Sequence, residues 1–175
     1  RYVVRAVDQA GNKSASTAVK TPPSADMNPV VVAPAAQWSY RNANSAPDAS
    51  WAARDYADAS WSQGAGAFGF GSDGLGTNID APAPTSNRAI TNYFRKTITV
   101  ANVDQIKKLR LTTWADDGVI VYVNGREVGR KNLGTGAISH ATYANAAPRT
   151  AAAKADPLVM DLVDADIEDT GPITI

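Results

Sequence analysis

Residues 109–130 read LRLTTWADDGVIVYVNGREVGR. Apolar and polar residues alternate from 109 to 113, which is the period of a half-buried β-strand. A β-branched and aromatic run at 119–123 is followed by Asn124-Gly125, a dipeptide that favours a type I′ hairpin turn because both residues tolerate positive φ. The stretch therefore predicts three short strands, the last two forming a hairpin. Because a hairpin cannot bury its own apolar face, it also predicts a larger sheet around it.

The overall composition argues against several classes of partner. The 175 residues carry 17 basic and 17 acidic side chains, a net charge of zero, whereas binding to nucleic acid or to an anionic membrane needs a basic surface. No apolar run approaches the ~18 residues of a membrane-spanning helix. We therefore expect no nucleic acid partner and no membrane insertion. The chain has no cysteine and begins with Arg1, so we expect no disulfide and an interior piece of a longer polypeptide.

The distribution of proline and charge divides the chain into four parts. Four prolines in residues 21–34 predict an extended linker. Residues 1–20 before it carry two strand-like runs around turn residues, which predicts a β-hairpin. Residues 35–162 hold the remaining predicted strands, the last of them PLVMDL. Residues 163–175 are acidic and predict a solvated tail with no further strand.

Several other stretches give weaker signals. Residues 63–76 are too rich in glycine for the interior of a regular element, so their backbone is expected to pack closely against other backbone or to turn repeatedly. Residues 93–100 predict a strand with Phe94 and Arg95 on opposite faces. The segment 137–143 is a candidate strand, and 144–154 is expected to be an alanine-rich loop.

The first of two family resemblances lies at the start of the chain. YVVRAVDQAGNKS at residues 2–14 resembles the last two strands of a fibronectin type III domain, for which YxVxAxDxAGNxS is a recurrent ending in bacterial proteins. The resemblance covers only residues 1–20. It therefore implies a hairpin remnant that does not fold as that domain alone.

The second resemblance covers about residues 35–162. Its pieces, in chain order, are WSY at 38–40, YADASW at 56–61 with the glycines and phenylalanines of 64–71, YFRK at 93–96, and ADDG at 115–118 continuing into NGREV at 124–128. Together they resemble the galactose-binding-domain-like β-jelly-roll of large secreted bacterial proteins, where it accompanies fibronectin type III repeats and sometimes a hydrolase. The resemblance implies an all-β antiparallel sandwich.

That resemblance also implies a role and a location. Such a module is a non-catalytic accessory unit, often carbohydrate-binding or merely architectural, in a secreted or cell-surface bacterial protein. The implied partners are a polysaccharide or cell-surface glycan and the other domains of the same polypeptide.

One departure from the family leaves two interpretations open. Members normally end in a glycine turn and an apolar strand, and no counterpart is recognisable after Leu162. Either the ends of the chain are fragment boundaries, or the final strand is supplied from elsewhere, for example by Tyr2-Val3-Val4 pairing with an exposed sheet edge of another copy. The second interpretation makes self-association through a sheet edge, and hence a structural or assembly role, the alternative function.

Asp116 and Asp117 form the sharpest hypothesis for a metal site. Ca²⁺ takes six to eight oxygen ligands from carboxylates and carbonyls, and Asn124 would add an amide oxygen if the hairpin folded back. The alternative is a plain structural turn, since aspartate caps its own backbone. For Asp73, which lies among glycines, the same two interpretations apply, a Ca²⁺ loop or a plain turn, but the case for a metal is weaker.

A lectin-like ligand site is the second hypothesis. A sugar ring stacks its C–H face on an aromatic side chain, and its hydroxyl groups need carboxylate, amide or arginine partners. Trp114 lies beside Asp116 on the polar face of its strand and is the preferred exposed platform. The predicted ligand-binding set is Trp114, Tyr122, Asn124 and Arg126, whereas Trp38 and Trp61 are assigned to packing.

No pattern favours catalysis by the module itself. The sequence lacks GxSxG, HExxH and GxxxxGK, and His140, the single histidine, is interpreted as a loop residue. No spacing singles out a pair of carboxylates for glycoside hydrolysis. We therefore assign no catalytic residue and expect a non-enzymatic module, which can belong to a larger secreted hydrolase.

Overall fold

The computed structural model describes residues 3–4, 17–18, 31–79, 88–99, 108–162 and 172–175. The chain divides into two compact units, Arg1–Val30 and Val31–Ile175. In the first unit β1 (Val3–Val4) pairs antiparallel with β2 (Thr17–Ala18). The two strands lie within the segment predicted to form a hairpin.

The described part of the second unit consists mainly of short β-strands. In chain order its elements are β3 (Gln37–Arg41), β4 (Ser62–Ala65), β5 (Phe68–Gly69), β6 (Thr77–Asn78), β7 (Tyr93–Arg95), β8 (Thr97–Ile98), β9 (Leu109–Thr113), β10 (Val119–Val123), β11 (Arg126–Lys131), α1 (Thr150–Ala155), β12 (Leu158–Leu162) and β13 (Ile173–Thr174). The prediction of an all-β fold is confirmed. Over the described ranges no helix is long and apolar enough to cross a bilayer.

The strands pair in small sheets. β3 lies between β4 and β7, while β9 pairs with β12, β10 with β11, and β8 with β13, all antiparallel; β5 and β6 pair in parallel. β9 and β10 therefore belong to different sheets. The turn at residues 116–118 carries the chain from one sheet to another, and only the last two strands of the 109–130 stretch form a hairpin.

The turn of that hairpin has the predicted geometry. Asn124 has φ of 50° and Gly125 has φ of 87°, the two positive values that a type I′ turn requires. Val123 and Arg126 face each other across the turn, and a bulge between Val121 and Tyr122 shifts the register further along.

The apolar core joins strands from several of these sheets. Its buried members are Ile98, Val123, Met160, Leu162 and Ile173. Gly129 on β11 permits close packing over β12, because a Cβ at this position would lie 2.5 Å from the sulfur of Met160. The core is therefore assembled from residues far apart in the chain.

The end of the chain differs from the prediction. Ile173 is fully buried and Thr174 is 2% exposed, and these two residues pair with Ile98 and Thr97 of β8. The expectation of no strand beyond Leu162 is therefore wrong for β13. A two-residue strand is too short to give a periodic signal, and its partner is distant in the sequence. Residues 163–171 of the predicted acidic tail lie outside the described residues.

Three local predictions are also corrected. The segment 63–76 contains most of β4 and all of β5, although it does bring backbone into close contact as expected: a Cβ on Gly76 would lie 2.2 Å from the carbonyl oxygen of Gly66. The candidate strand at 137–143 is not formed. The alanine-rich loop runs into α1, since alanine has the highest helix propensity.

Candidate functional site

The residues predicted to form a site lie at opposite ends of β10. Trp114, Asp116 and Asp117 precede the strand, whereas Tyr122, Asn124 and Arg126 lie at its far end. From the rise per residue of an antiparallel strand, about 17 Å separates the start of β10 from the hairpin turn. One small ligand therefore cannot contact both groups, and Asn124 is not placed to share an ion with Asp116.

Asn124 is instead bound to the terminal strand. Its side-chain oxygen accepts a hydrogen bond of 2.9 Å from the backbone N–H of Thr174, and its own backbone N–H donates to the carbonyl oxygen of Thr174, also at 2.9 Å. Its amide oxygen is therefore occupied by a hydrogen bond within the fold. Arg126, next to the turn, is exposed.

Tyr122 belongs to a cluster of aromatic rings. It packs edge-on against Trp51 with ring centroids 5.4 Å apart, and Trp51 packs edge-on against Tyr93 at 5.0 Å. Burial, followed by the charge of Glu127, raises the pKa of the Tyr122 hydroxyl. Trp61, predicted to pack, is 7% exposed and contacts Tyr93 in the same cluster.

Two side chains of α1 contact the residues that precede β10. The hydroxyl of Thr150 donates a hydrogen bond of 2.6 Å to Asp116, and the ammonium of Lys154 lies 4.8 Å from the centre of the Trp114 ring. Thr150 and Lys154 are one helical turn apart and share a face of α1. Trp114 is half-buried with the ammonium of Lys154 over its ring, so it is not the exposed platform expected from the sequence.

Asn132 ties a neighbouring loop to the 116–118 turn. Its side-chain N–H₂ donates to the carbonyl oxygens of Asp117 at 3.1 Å and of Ala146 at 2.6 Å. Its own carbonyl oxygen accepts from the backbone N–H of Asn145 at 2.9 Å. Residues 144–146 are thereby held against the turn.

Tyr143 adds an exposed aromatic ring to this end of the unit. It is 74% exposed, and it precedes Ala144, whose Cβ would lie 3.2 Å from a Cβ built on Gly118. Tyr143 is therefore adjacent in the chain to a residue that contacts the 116–118 turn. It was missed because residues 137–143 were assigned to a strand; a tyrosine flanked by small and polar residues is the signal that would have pointed to it.

The two carboxyl groups of the turn interact unfavourably. Partial desolvation of its carboxyl group, in an otherwise exposed residue, is the largest cause of the raised pKa of Asp117, followed by the charge of Asp116 and a hydrogen bond with it. Within the described ranges no group of three or more His, Asp or Glu side chains is arranged to hold a metal ion.

Two other residues considered in the sequence analysis lie elsewhere. Asp73 is exposed, and His140 stacks on Tyr93 with ring centroids 6.5 Å apart.

Comparison with known proteins identifies no relative of this chain. No protein-family model matches the chain, and neither a curated protein nor a solved structure matches it. The function is therefore argued from the residues and their geometry.

Proposed function

We propose that this chain is a non-catalytic accessory module that binds carbohydrate or a cell-surface glycan as part of a secreted bacterial protein. One observation supports the proposal: Tyr143 is 74% exposed and directly precedes Ala144, whose Cβ packs against Gly118 in the turn that carries two carboxylates. An aromatic face stacks on sugar C–H groups, and carboxylates accept hydrogen bonds from sugar hydroxyls. Trp114, half-buried under Lys154, precedes the same turn and contributes its remaining surface.

The fold we propose for the second unit is the galactose-binding-like jelly-roll. Its support is the predominance of antiparallel pairing and a core shared by β8, β10, β12 and β13. The pairing of β1 with β2 supports a fibronectin-like hairpin remnant in the first unit. In such an arrangement the loops at one end of the sandwich form the ligand site, as loops positioned by a rigid scaffold commonly do.

A structural Ca²⁺ at Asp116 and Asp117 is part of the proposal. The turn brings two carboxylates together, and the charge of Asp116 helps to raise the pKa of Asp117, so a bound cation would relieve their repulsion. Carbonyl oxygens and water would have to complete the six to eight ligands that Ca²⁺ prefers.

The test is retention of the purified chain by insoluble polysaccharides and bacterial cell walls, with Ca²⁺ and with chelator. We expect Tyr143→Ala to weaken retention on one polymer about tenfold, the upper range for an aromatic contact, and Trp114→Ala to weaken it less. Phe70→Ala is the matched control, because Phe70 is a 46% exposed aromatic residue that follows β5. Loss of retention in chelator would support the Ca²⁺ site.

The opposite result favours the alternative function. If no polymer retains the chain, a structural or assembly role replaces glycan binding. Light scattering would then distinguish an inert spacer from a subunit that exchanges strands, since only the latter forms concentration-dependent multimers.

A further inference from the structure

A polar cleft of about 220 Å³ lies on the second unit, lined by Gln37, Ser39, Asp58, Gln63, Arg95, Lys96 and Thr97. A row of residues crosses it on three strands, because Ser39 on β3 pairs in register with Gln63 on β4 and with Arg95 on β7. Neighbouring residues in register project from the same face of a sheet. The cleft therefore presents amide, hydroxyl and charged groups side by side, and no aromatic ring lines it.

All three nitrogens of the Arg95 guanidinium donate hydrogen bonds to the protein. Arg95 is 2% exposed; its Nε donates to Asp58 at 3.2 Å, and its terminal nitrogens donate to the carbonyl oxygens of Trp51 and Tyr56. The pair Arg95–Asp58 is thus neutral as a unit, and its function is to hold the loop before β4.

Lys96 carries the remaining charge of the cleft. Its ammonium donates to the carbonyl oxygen of Gln37 at 2.9 Å, a neutral partner. An ammonium has three donors, so two of them remain for a ligand. The cleft consequently has one positive charge that the Arg95–Asp58 pair does not balance.

The neutral groups of the cleft also keep hydrogen-bonding capacity. Gln63 uses one of its amide N–H groups to donate to the hydroxyl of Ser39 at 2.7 Å, which leaves its second N–H and its oxygen. Gln37 and Gln63 are exposed at the rim. Such side chains can donate to and accept from the hydroxyl groups of a sugar.

We propose that this cleft binds one acidic sugar residue, a uronic acid, with its carboxylate at Lys96 and its hydroxyls at Gln37, Ser39 and Gln63. A volume of about 220 Å³ lies below the roughly 300–1,000 Å³ of drug-sized ligand sites, which limits the ligand to about one ring. The inference rests on the proposed saccharide-binding function and names the sugar class and a second set of residues.

The test follows backbone amide resonances of the whole chain during titration with glucuronic acid, glucose and inorganic phosphate. We expect glucuronic acid to shift residues 37–39, 63 and 95–97, and glucose to bind several-fold more weakly. Lys96→Gln should reduce the affinity for glucuronic acid roughly fivefold, as expected for a partly exposed ion pair. Lys108→Gln is the matched control, since Lys108 is exposed and pairs with Asp161.

Three outcomes of the titration overturn the inference. Equal shifts with phosphate would show a general anion site, equal binding of glucose would show that the carboxylate is not recognised, and no shifts would show a hydrated groove. Polymer retention that depends on Tyr143 but not on Lys96 would keep the proposed function while removing this site. Binding of glucuronic acid without retention by any polymer would keep this site and remove the proposed function of polymer binding.

Discussion

The side-chain oxygen of Asn124 and the backbone N–H of Thr174 are joined by a hydrogen bond of 2.9 Å. The backbone of Asn124 returns a second bond to the carbonyl oxygen of Thr174. A residue of the β10–β11 turn thus holds β13 through two groups. Ile173, the neighbour of Thr174, is fully buried. The two hydrogen bonds between Asn124 and Thr174 therefore hold Ile173 in the apolar core.

Two substitutions at Asn124 separate its hydrogen bond from its backbone conformation. Asn124→Gly keeps a positive φ without strain but removes the side-chain acceptor, so we expect a loss of about 1 kcal/mol in the free energy of unfolding. Asn124→Ala should cost about 1 kcal/mol more, because alanine resists the left-handed region. Urea denaturation measures both. Equal losses would mean that the turn conformation contributes nothing, and unchanged stability would mean that the bond does not hold β13.

Ile173→Ala tests whether β13 belongs to the core. Removing a fully buried isoleucine side chain should cost about 3 kcal/mol through lost burial and the cavity left behind. Ile90→Ala is the matched control, because Ile90 is 37% exposed and should cost under about 1 kcal/mol. Similar losses in the two variants would contradict the buried position of β13.

Arg95→Met tests the ion pair with Asp58. The substitution leaves Asp58 and the carbonyl oxygens of Trp51 and Tyr56 without the guanidinium. Because the Asp58 side chain is 32% exposed and stays partly hydrated, we expect a loss of about 1–3 kcal/mol. Arg110→Met is the control, since Arg110 is 61% exposed in its pair with Asp161 and surface pairs contribute little. Thermal unfolding of both variants gives the comparison. A small effect at Arg95 would show that the loop is held by its aromatic residues alone.

Gly76→Ala tests the close backbone contact in the glycine-rich segment. The new Cβ would lie 2.2 Å from the carbonyl oxygen of Gly66 and 2.7 Å from that of Ala65, so the backbone must move and we expect a loss of about 2–3 kcal/mol. Gly134→Ala is the control, because its Cβ would meet nothing within 4 Å; its effect should stay within about 0.5 kcal/mol. Equal melting temperatures would contradict the contact.

Asp117→Asn tests the electrostatics of the 116–118 turn. The pKa of Asp117 is raised above its usual 3.8, so the protonated carboxyl stabilises the fold at low pH and that contribution is lost as pH rises through the raised value. We expect Asp117→Asn to melt higher than the wild type at pH 7 and to match it below about pH 3. The gain should be under about 1 kcal/mol, since Asp117 is exposed and solvent screens its charge.

The same variant also reports on Ca²⁺. If the ion binds at the turn, Ca²⁺ should raise the melting temperature of the wild type but not of Asp117→Asn. Asp73→Asn, an exposed carboxylate in another loop, is the control and should keep the wild-type response to Ca²⁺. An equal response in all three chains would argue against the site.

The sequence by itself determined the elements that depend on near neighbours. Alternation at 109–113, the β-branched run at 119–123 and PLVMDL became β9, β10 and β12, because side-chain period and β propensity act over a few residues. The φ preferences of Asn124 and Gly125 likewise set the hairpin turn, as Asn and Gly accept positive φ wherever they occur.

Only the tertiary structure decided which of these elements meet. Arg95 was expected on the strand face opposite Phe94, and its burial was not predicted; it is buried because Asp58 and two carbonyl groups from a distant loop bind its guanidinium. The ammonium of Lys154 in α1 lies over the ring of the half-buried Trp114, and the short β13 pairs with β8 and is hydrogen-bonded to Asn124. These contacts join residues far apart in the chain, and local residue preferences carry no information about such pairings.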